Sequence, residues 1–234
     1  MTVDAHVDIA ARDLAWDGCC NVRDLGGLPT ARGGETVRGR IVRADNLDLL
    51  TRDGWQALWD FGVRTVIDLR NEEECRPAVT RPAGLKTVRI AFDAYASPEW
   101  IRRWYPPGLP NNLGQYLADY PRALIDFGNA VAAAADGGIV VHCAGGRDRT
   151  GLAAMMLLVH AGVDQRIAAA DWEHSIARLA RRYAGQGAAG IEADDLAAPG
   201  PQQLAVIRRQ VAHFLAHVDT GAFFGDEVRS RLLP

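Results

Sequence analysis

Apolar residues in this chain change their spacing from segment to segment, and the changes mark out the elements. Residues 35–43 alternate as a strand, entered from the turn Arg32-Gly33-Gly34. Thr51 is placed to cap a short helix that carries Trp55, Leu58 and Trp59 and ends near Gly62. Residues 63–69 form a compact apolar run, and 86–92 form another, both read as strands. Across 112–135 the residues Leu113, Tyr116, Leu117, Tyr120, Leu124, Phe127 and Val131 recur at helical spacing, with Pro121 as a point of interruption. Residues 139–142 are a fourth strand. The stretch 151–160 is apolar nearly all round, as expected of a helix buried at a domain centre. Residues 164–183 and 201–218 read as amphipathic helices.

Strands alternating with helices predict an α/β fold: a central, mainly parallel sheet flanked by helices. No internal repeat or second domain is visible, so residues 1–234 are expected to form one domain. Two stretches read as loops. One, 183–199, is rich in Gly and Ala and holds Glu192, Asp194 and Asp195. The other, 95–112, holds Trp100, Arg102, Arg103, Trp104 and Tyr105. Long loops in compact domains are often functional, which makes the second a candidate substrate wall; its alternative is a short helix packing its aromatics on the core.

Composition narrows the class. Hydrophobic residues make up 48% and charged ones 24% of 234 residues, the mix of a folded globular chain. A formal net charge of −3 argues against bulk attraction to nucleic acid or anionic membrane, so any positive field should be local. No apolar run reaches the length of a membrane span, and the first 17 residues lack the pattern of a signal peptide. Cys19, Cys20, Cys75 and Cys143 are too few for a disulfide framework and fit a reducing, cytoplasmic setting. A sharper alternative has one of the first three trapping an oxidised Cys143 as a disulfide.

The chemistry concentrates in Val141-His142-Cys143-Ala144-Gly145-Gly146-Arg147-Asp148-Arg149-Thr150-Gly151. A strand that feeds a tight loop and then a helix N-terminus is an anion site: loop amides face the ligand and the helix dipole adds positive charge. A thiol placed there beside cationic groups is favoured as thiolate, which would make Cys143 a nucleophile. Arg149 offers a planar fork for two phosphoryl oxygens. Ala144, Gly145, Gly146 and Arg147 would line the anion site, and the two glycines allow close backbone approach. Thr150 is placed to donate its hydroxyl to the sulfur. Asp148, the loop's own carboxylate, would protonate the leaving oxygen and then activate water. His142 is expected to be buried and hydrogen-bonded.

This loop resembles the His-Cys-x5-Arg-Thr/Ser signature of the cysteine-dependent protein tyrosine phosphatases. Two further motifs are similar to those of its bacterial PtpB-like and atypical dual-specificity members: Asn21-Val22-Arg23-Asp24-Leu25-Gly26-Gly27 and Val66-Ile67-Asp68-Leu69-Arg70. The resemblance implies a phosphate-binding loop between a core strand and a buried helix. It implies hydrolysis of phosphotyrosine protein through a phosphocysteine, without metal or other cofactor, and with phosphoserine, phosphothreonine or phosphoinositide as further substrates. Arg147 stands where the family usually has lysine. The region that carries a separate-loop general acid in ordinary tyrosine phosphatases, residues 107–113, has no carboxylate here. That favours Asp148 as the acid and leaves Asp93 as a second candidate.

Other residues carry bland and sharp readings. Asp171 and Ser175 lie where the family has an Asp-Tyr-x-x-Ser pattern and read as orienting hydrogen-bond partners. Arg23 and Asp24 read as a brace for the loop or a structural ion pair, and Asp68 and Arg70 as loop support. His213 and His217 have metal-ligand spacing, but no completing ligand is nearby, so no metal is expected. Two rival classes are a weak phospho-binding module and a rhodanese-type sulfurtransferase. The intact set of reacting residues opposes the first, and the five-residue spacing from Cys143 to Arg149, followed by Thr150, opposes the second.

Overall fold

The structure, a computed structural model, describes residues 7–76, 80–104, 113–184 and 200–234. Five strands form one sheet: β1 (Arg23–Asp24), β2 (Ile41–Ala44), β3 (Val63–Asp68), β4 (Lys86–Arg89) and β5 (Gly138–His142), in the order β1-β2-β5-β3-β4. β1 runs antiparallel to β2, and every other pairing is parallel. The described helices are α1 (Arg52–Asp60), α2 (Pro98–Trp104), α3 (Leu113–Asp119), α4 (Pro121–Ala132), α5 (Arg149–His160), α6 (Gln165–Ala184), α7 (Pro201–His217) and α8 (Asp226–Ser230), with short 3-10 turns between them. The predicted α/β class is therefore the observed one.

β5 is the central strand, and its five residues are all buried. Alternation sorts its neighbours onto two faces. Ile41, Ile67, Ile139 and Val141 pack with Phe127 of α4 and Met155 of α5. Val42, Val66 and Val140 pack with Trp16, Trp55 and Leu58 on the opposite face. In α5 all residues but Arg149 and Val159 are buried, so it has no solvent face. Gly151 allows α6 to approach it closely, since a Cβ there would lie 2.4 Å from the Trp172 ring. Edge strand β4 is exposed along its length, consistent with its end position.

The elements match the spacing with instructive differences. Thr51 caps α1, accepting a hydrogen bond from the Gly54 amide. Pro121 does interrupt the long helical stretch, and it sits at the first turn of α4, where its missing N–H costs nothing. β2 begins only at Ile41, because the backbone ahead of it is committed elsewhere. Thr36 donates its amide to Leu28, and Val37 donates to Leu232. Trp100 of α2 is buried against Tyr116 and Tyr120 and donates to Asp119, so it takes the packing reading rather than that of a substrate wall. Residues 105–112 of that stretch, and nearly all of the other loop, lie outside the described residues. The two-residue β1 has no periodicity to reveal it.

Candidate active site

β5 ends by delivering Cys143, 3% exposed, to the start of a loop that closes at the N-terminus of α5. Three successive loop carbonyls are tied behind the loop. That of Ala144 accepts from the Asn46 amide at 3.1 Å. That of Gly145 accepts from Asn21 Nδ2 at 3.0 Å, and that of Gly146 from Arg43 Nη2. Because a trans peptide points its N–H opposite to its C=O, each tie turns the next amide toward the opposite, inner side. The Gly146 amide accordingly donates to Cys143 Sγ at 3.3 Å. Gly146 has φ +67°, and a Cβ on it would meet the Ala44 carbonyl at 2.5 Å, so only glycine fits.

Behind the loop lies a fully buried cationic cluster. Asp171 of α6 receives Arg12 at 2.7 Å, Arg23 at 2.8 Å and Arg43 at 2.5 Å. Ser175 Oγ accepts from both Arg23 and Arg43 at 2.9 Å. Burial opposes ionisation of Asp171, but the three guanidiniums outweigh it and hold the carboxyl well below the usual range. Burial, with Arg23 beside it, lowers Arg43 to about 10. Asp24 is not in this ion pairing: its carboxylate accepts from the Gly26 and Gly39 amides, shaping the turn after β1.

A second brace supports the loop from β3. Arg70 pairs with Asp68 at 2.8 Å and Asp48 at 2.7 Å and donates to Asn46 Oδ1, whose own amide holds the Ala144 carbonyl. His142 is fully buried; burial lowers it to about 4, so the imidazole is neutral at pH 7. Its Nδ1 lies 3.3 Å from the Cys143 carbonyl. Its Nε2 is 3.6 Å from Asp68, too far for a hydrogen bond, and has no partner, so the expected hydrogen-bonded histidine is bonded on one side only.

In front of the loop lies a small cleft lined by Phe92, Asp93, Tyr116, Asp148, Arg149 and Leu152, with Leu113 beside them. Arg149 makes a fork-to-fork pair with Glu74 at 2.6 and 2.7 Å and contacts Asp93 at 3.0 Å. Burial alone would lower Arg149, but these carboxylates raise it well above its usual value. Burial pushes the Asp93 carboxyl up; Arg149 opposes this, while Glu74 and Asp148 add to it. Asp148 pairs with its neighbour Arg147 at 3.0 Å. Phe92 and Tyr116 stack at 6.2 Å, giving the cleft an aromatic wall.

The residues singled out from the sequence, Cys143, Ala144, Gly145, Gly146, Arg147, Asp148 and Arg149, share one loop, and of these Asp148 and Arg149 line the cleft. Thr150 is a correction. Its hydroxyl is buried in the first turn of α5 without a hydrogen-bond partner, and no Thr150–Cys143 bond forms. The other thiols face separate acceptors, Cys19 the Asn46 carbonyl, Cys20 the Asp45 carboxylate and Cys75 the Asn71 carbonyl. His213 and His217 lie on the exposed side of α7, their rings tilted against each other with centroids 4.3 Å apart. No group of three metal-ligating side chains occurs among the described residues. Sequence reading missed Arg12, Arg43, Asn46 and Glu74. A signal existed for Glu74, since Asn71-x-x-Glu74 has capping-box spacing, and the Glu74 carboxylate does accept from the Asn71 amide at 2.8 Å.

A cysteine sulfur that accepts from a loop amide, with an arginine at the start of the next helix beside an aromatic-walled cleft, is an arrangement suited to an anion. The profile of the tyrosine phosphatase family matches residues 14–221, and the chain belongs to that family. A protein of Cupriavidus necator named "Putative tyrosine-protein phosphatase" is 30% identical over 194 residues, covering 76% of this chain and 70% of that one. A tyrosine-protein phosphatase of Nostoc commune is 28% identical over 163 residues, 68% of this chain but only 54% of the relative. Among solved structures, Pseudomonas aeruginosa TpbA aligns over 81% of this chain and 84% of its own, at 18% identity and a TM-score of 0.36. A cysteine-to-serine variant of TpbA in complex with pTyr aligns at 17% identity and a TM-score of 0.37, over 81% of this chain and 83% of its own. Among the described residues no helix is long and apolar enough to cross a membrane.

Proposed function

We propose that this tyrosine phosphatase hydrolyses phosphotyrosine in protein substrates through a phosphocysteine on Cys143. The observation that carries the reading is the loop itself, with three carbonyls tied outward and the Gly146 amide on Sγ. The Cys143 thiolate attacks phosphorus; an S–P bond forms as the bond to the phenolic oxygen breaks. Asp148 gives its proton to that oxygen. Water then attacks phosphorus, Asp148 takes the water's proton, the S–P bond breaks and phosphate leaves with the thiolate restored. Loop amides and Arg149 hold the equatorial oxygens as charge builds on them. Phe92 and Tyr116 offer a face to the phenyl ring. Ala144, Gly145, Gly146, Arg147 and Thr150 complete the binding loop, and no metal takes part.

Arg147, partly exposed beside the cleft, supports a wider substrate range that includes phosphoserine, phosphothreonine or phosphoinositide headgroups. The setting is cytoplasmic, and residues 1–234 act as one unit. One observation favours a second reading of the acid: Asp93 shares the cleft, and burial favours its protonated form. Turnover of p-nitrophenyl phosphate in EDTA, followed against pH, tests both. Wild type should be active and Cys143→Ser inactive. Asp148→Asn should lose the basic limb of the profile while Asp93→Asn keeps it; the reverse pattern would assign the acid to Asp93. Activity retained in Cys143→Ser, or lost in EDTA, would refute the mechanism.

A further inference from the structure

β2 lies between β1 and β5, with Arg43 directly opposite Arg23 on one side and Val141 on the other. Two like charges opposed across strands repel, and both side chains are fully buried. Asp171 and Ser175 reach down from α6 to bridge them, and Arg12 adds a third cation. Three guanidiniums on one carboxylate leave an excess of buried positive charge. That excess has two described outlets toward the loop: Arg43 Nη2 donates directly to the Gly146 carbonyl, and Arg23 acts at one remove, donating to Asn21, whose Nδ2 donates to the Gly145 carbonyl.

Resting on the reading of Cys143 as nucleophile, we propose that Arg43 is a positioning residue for the reaction. It fixes the Gly146–Arg147 peptide with the Arg147 amide turned inward, and it brings buried positive charge to the rear of the Cys143 site. A cation on a peptide carbonyl also strengthens the donor at the other end of the same peptide. Arg43 therefore acts on the phosphoryl group through one amide without reaching the cleft, whereas Arg149 faces it directly.

The charged groups around Cys143 can be assigned by element. Arg43 comes from β2, with Arg23 and Arg12 behind it and Asp171 from α6 against them. Arg149 comes from α5, with Glu74 and Asp93 facing it. Arg147 and Asp148 of the loop pair with each other, and His142 is neutral and turned toward Asp68. Removing Arg43 and neutralising Asp171 should thus move the site in opposite directions, because one subtracts a cation and the other an anion. A purely structural brace would be damaged in the same direction by both.

The test compares wild type, Arg43→Met, Arg43→Lys, Asp171→Asn and Cys143→Ser. The readouts are competitive inhibition by orthovanadate and the pH dependence of alkylation by iodoacetamide, mapped to the Cys143 peptide, alongside thermal melts. Arg43→Met should weaken vanadate roughly tenfold and raise the half-maximal pH of alkylation by about one unit. Arg43→Lys should recover most of both. Asp171→Asn should lower that pH even though its melt is weaker. The inference is overturned if Arg43→Met melts cooperatively yet leaves both readouts unchanged, or if Asp171→Asn shifts alkylation upward. Should Arg43→Met fail to fold, the direction of the Asp171→Asn shift still decides. Turnover retained in Cys143→Ser would instead refute the nucleophile assignment and leave Arg43 without a reaction to serve.

Discussion

Two arginine–carboxylate sites lie on opposite sides of the same loop, and they differ in burial and in balance of charge. Behind the loop, Asp171 is outnumbered by Arg12, Arg23 and Arg43, all sealed from water. In front, Arg149 is outnumbered by Glu74 and Asp93, and all three are partly open. A buried pair that loses one partner leaves an uncompensated charge; a partly open pair can exchange its partner for a phosphoryl group or water. The proposed mechanism therefore assigns folding and loop shape to the rear site and chemistry to the front site. The same residue types serve both ends because burial, rather than identity, decides which ties can be broken.

The largest effect should come from the rear. Asp171→Ala strands three buried guanidiniums and should cost roughly 3–5 kcal/mol of stability, read by urea denaturation. A loss below about 1 kcal/mol would erase the distinction between the sites. At the front, Arg149→Lys keeps charge but loses the fork, and should lower kcat/KM roughly 10²–10³-fold. Its melting temperature should stay near that of wild type; a large stability loss would make the front site structural as well.

A third prediction concerns His142, beside Cys143 but outside both clusters. Burial lowers its folded value to about 4, below the ordinary 6.5 of the unfolded chain. Between those values the unfolded chain takes up a proton that the folded chain refuses. Stability is thus full above pH 6.5 and falls as pH drops toward 4, by at most about 3 kcal/mol. His142→Gln should flatten that slope, and an unchanged slope would assign it to other groups. The smallest effect belongs to Glu74→Gln. Removing a carboxylate that faces Arg149 should tighten competitive inhibition by inorganic phosphate about two- to fivefold, the scale of a partly exposed pair. Weaker inhibition would recast Glu74 as a brace rather than a competitor.

The front of the site, Glu74 apart, was legible in the sequence, and the rear only in part: Arg23, Asp171 and Ser175 read as loop support, whereas Arg12, Arg43 and Asn46 did not stand out. Cys143, Arg149 and the glycines lie within seven residues, so spacing alone exposes them. β5 and α5 were equally plain, because a fully buried strand and helix read as unbroken apolar runs. Arg12, Arg43 and Asn46 sit far from the loop in sequence, and a buried arginine has the same letter as a surface one. Their pairing is set by the register of β1, β2 and β5, which no local pattern encodes. The late start of the strand expected over 35–43 has the same origin: the hydrogen bonds to Leu28 and Leu232 are tertiary. Thr150 shows the limit from the other side, a motif position whose expected bond is not made.

The central claim is that Cys143 becomes phosphorylated in the reaction. The most direct measurement is acid quenching of the enzyme during turnover of a radiolabelled phosphotyrosine peptide, followed by peptide mapping under conditions that preserve thiophosphate. The account predicts label on the peptide that contains Cys143, with none in Cys143→Ser. Label absent from that peptide during active turnover, or found on another residue, would contradict it.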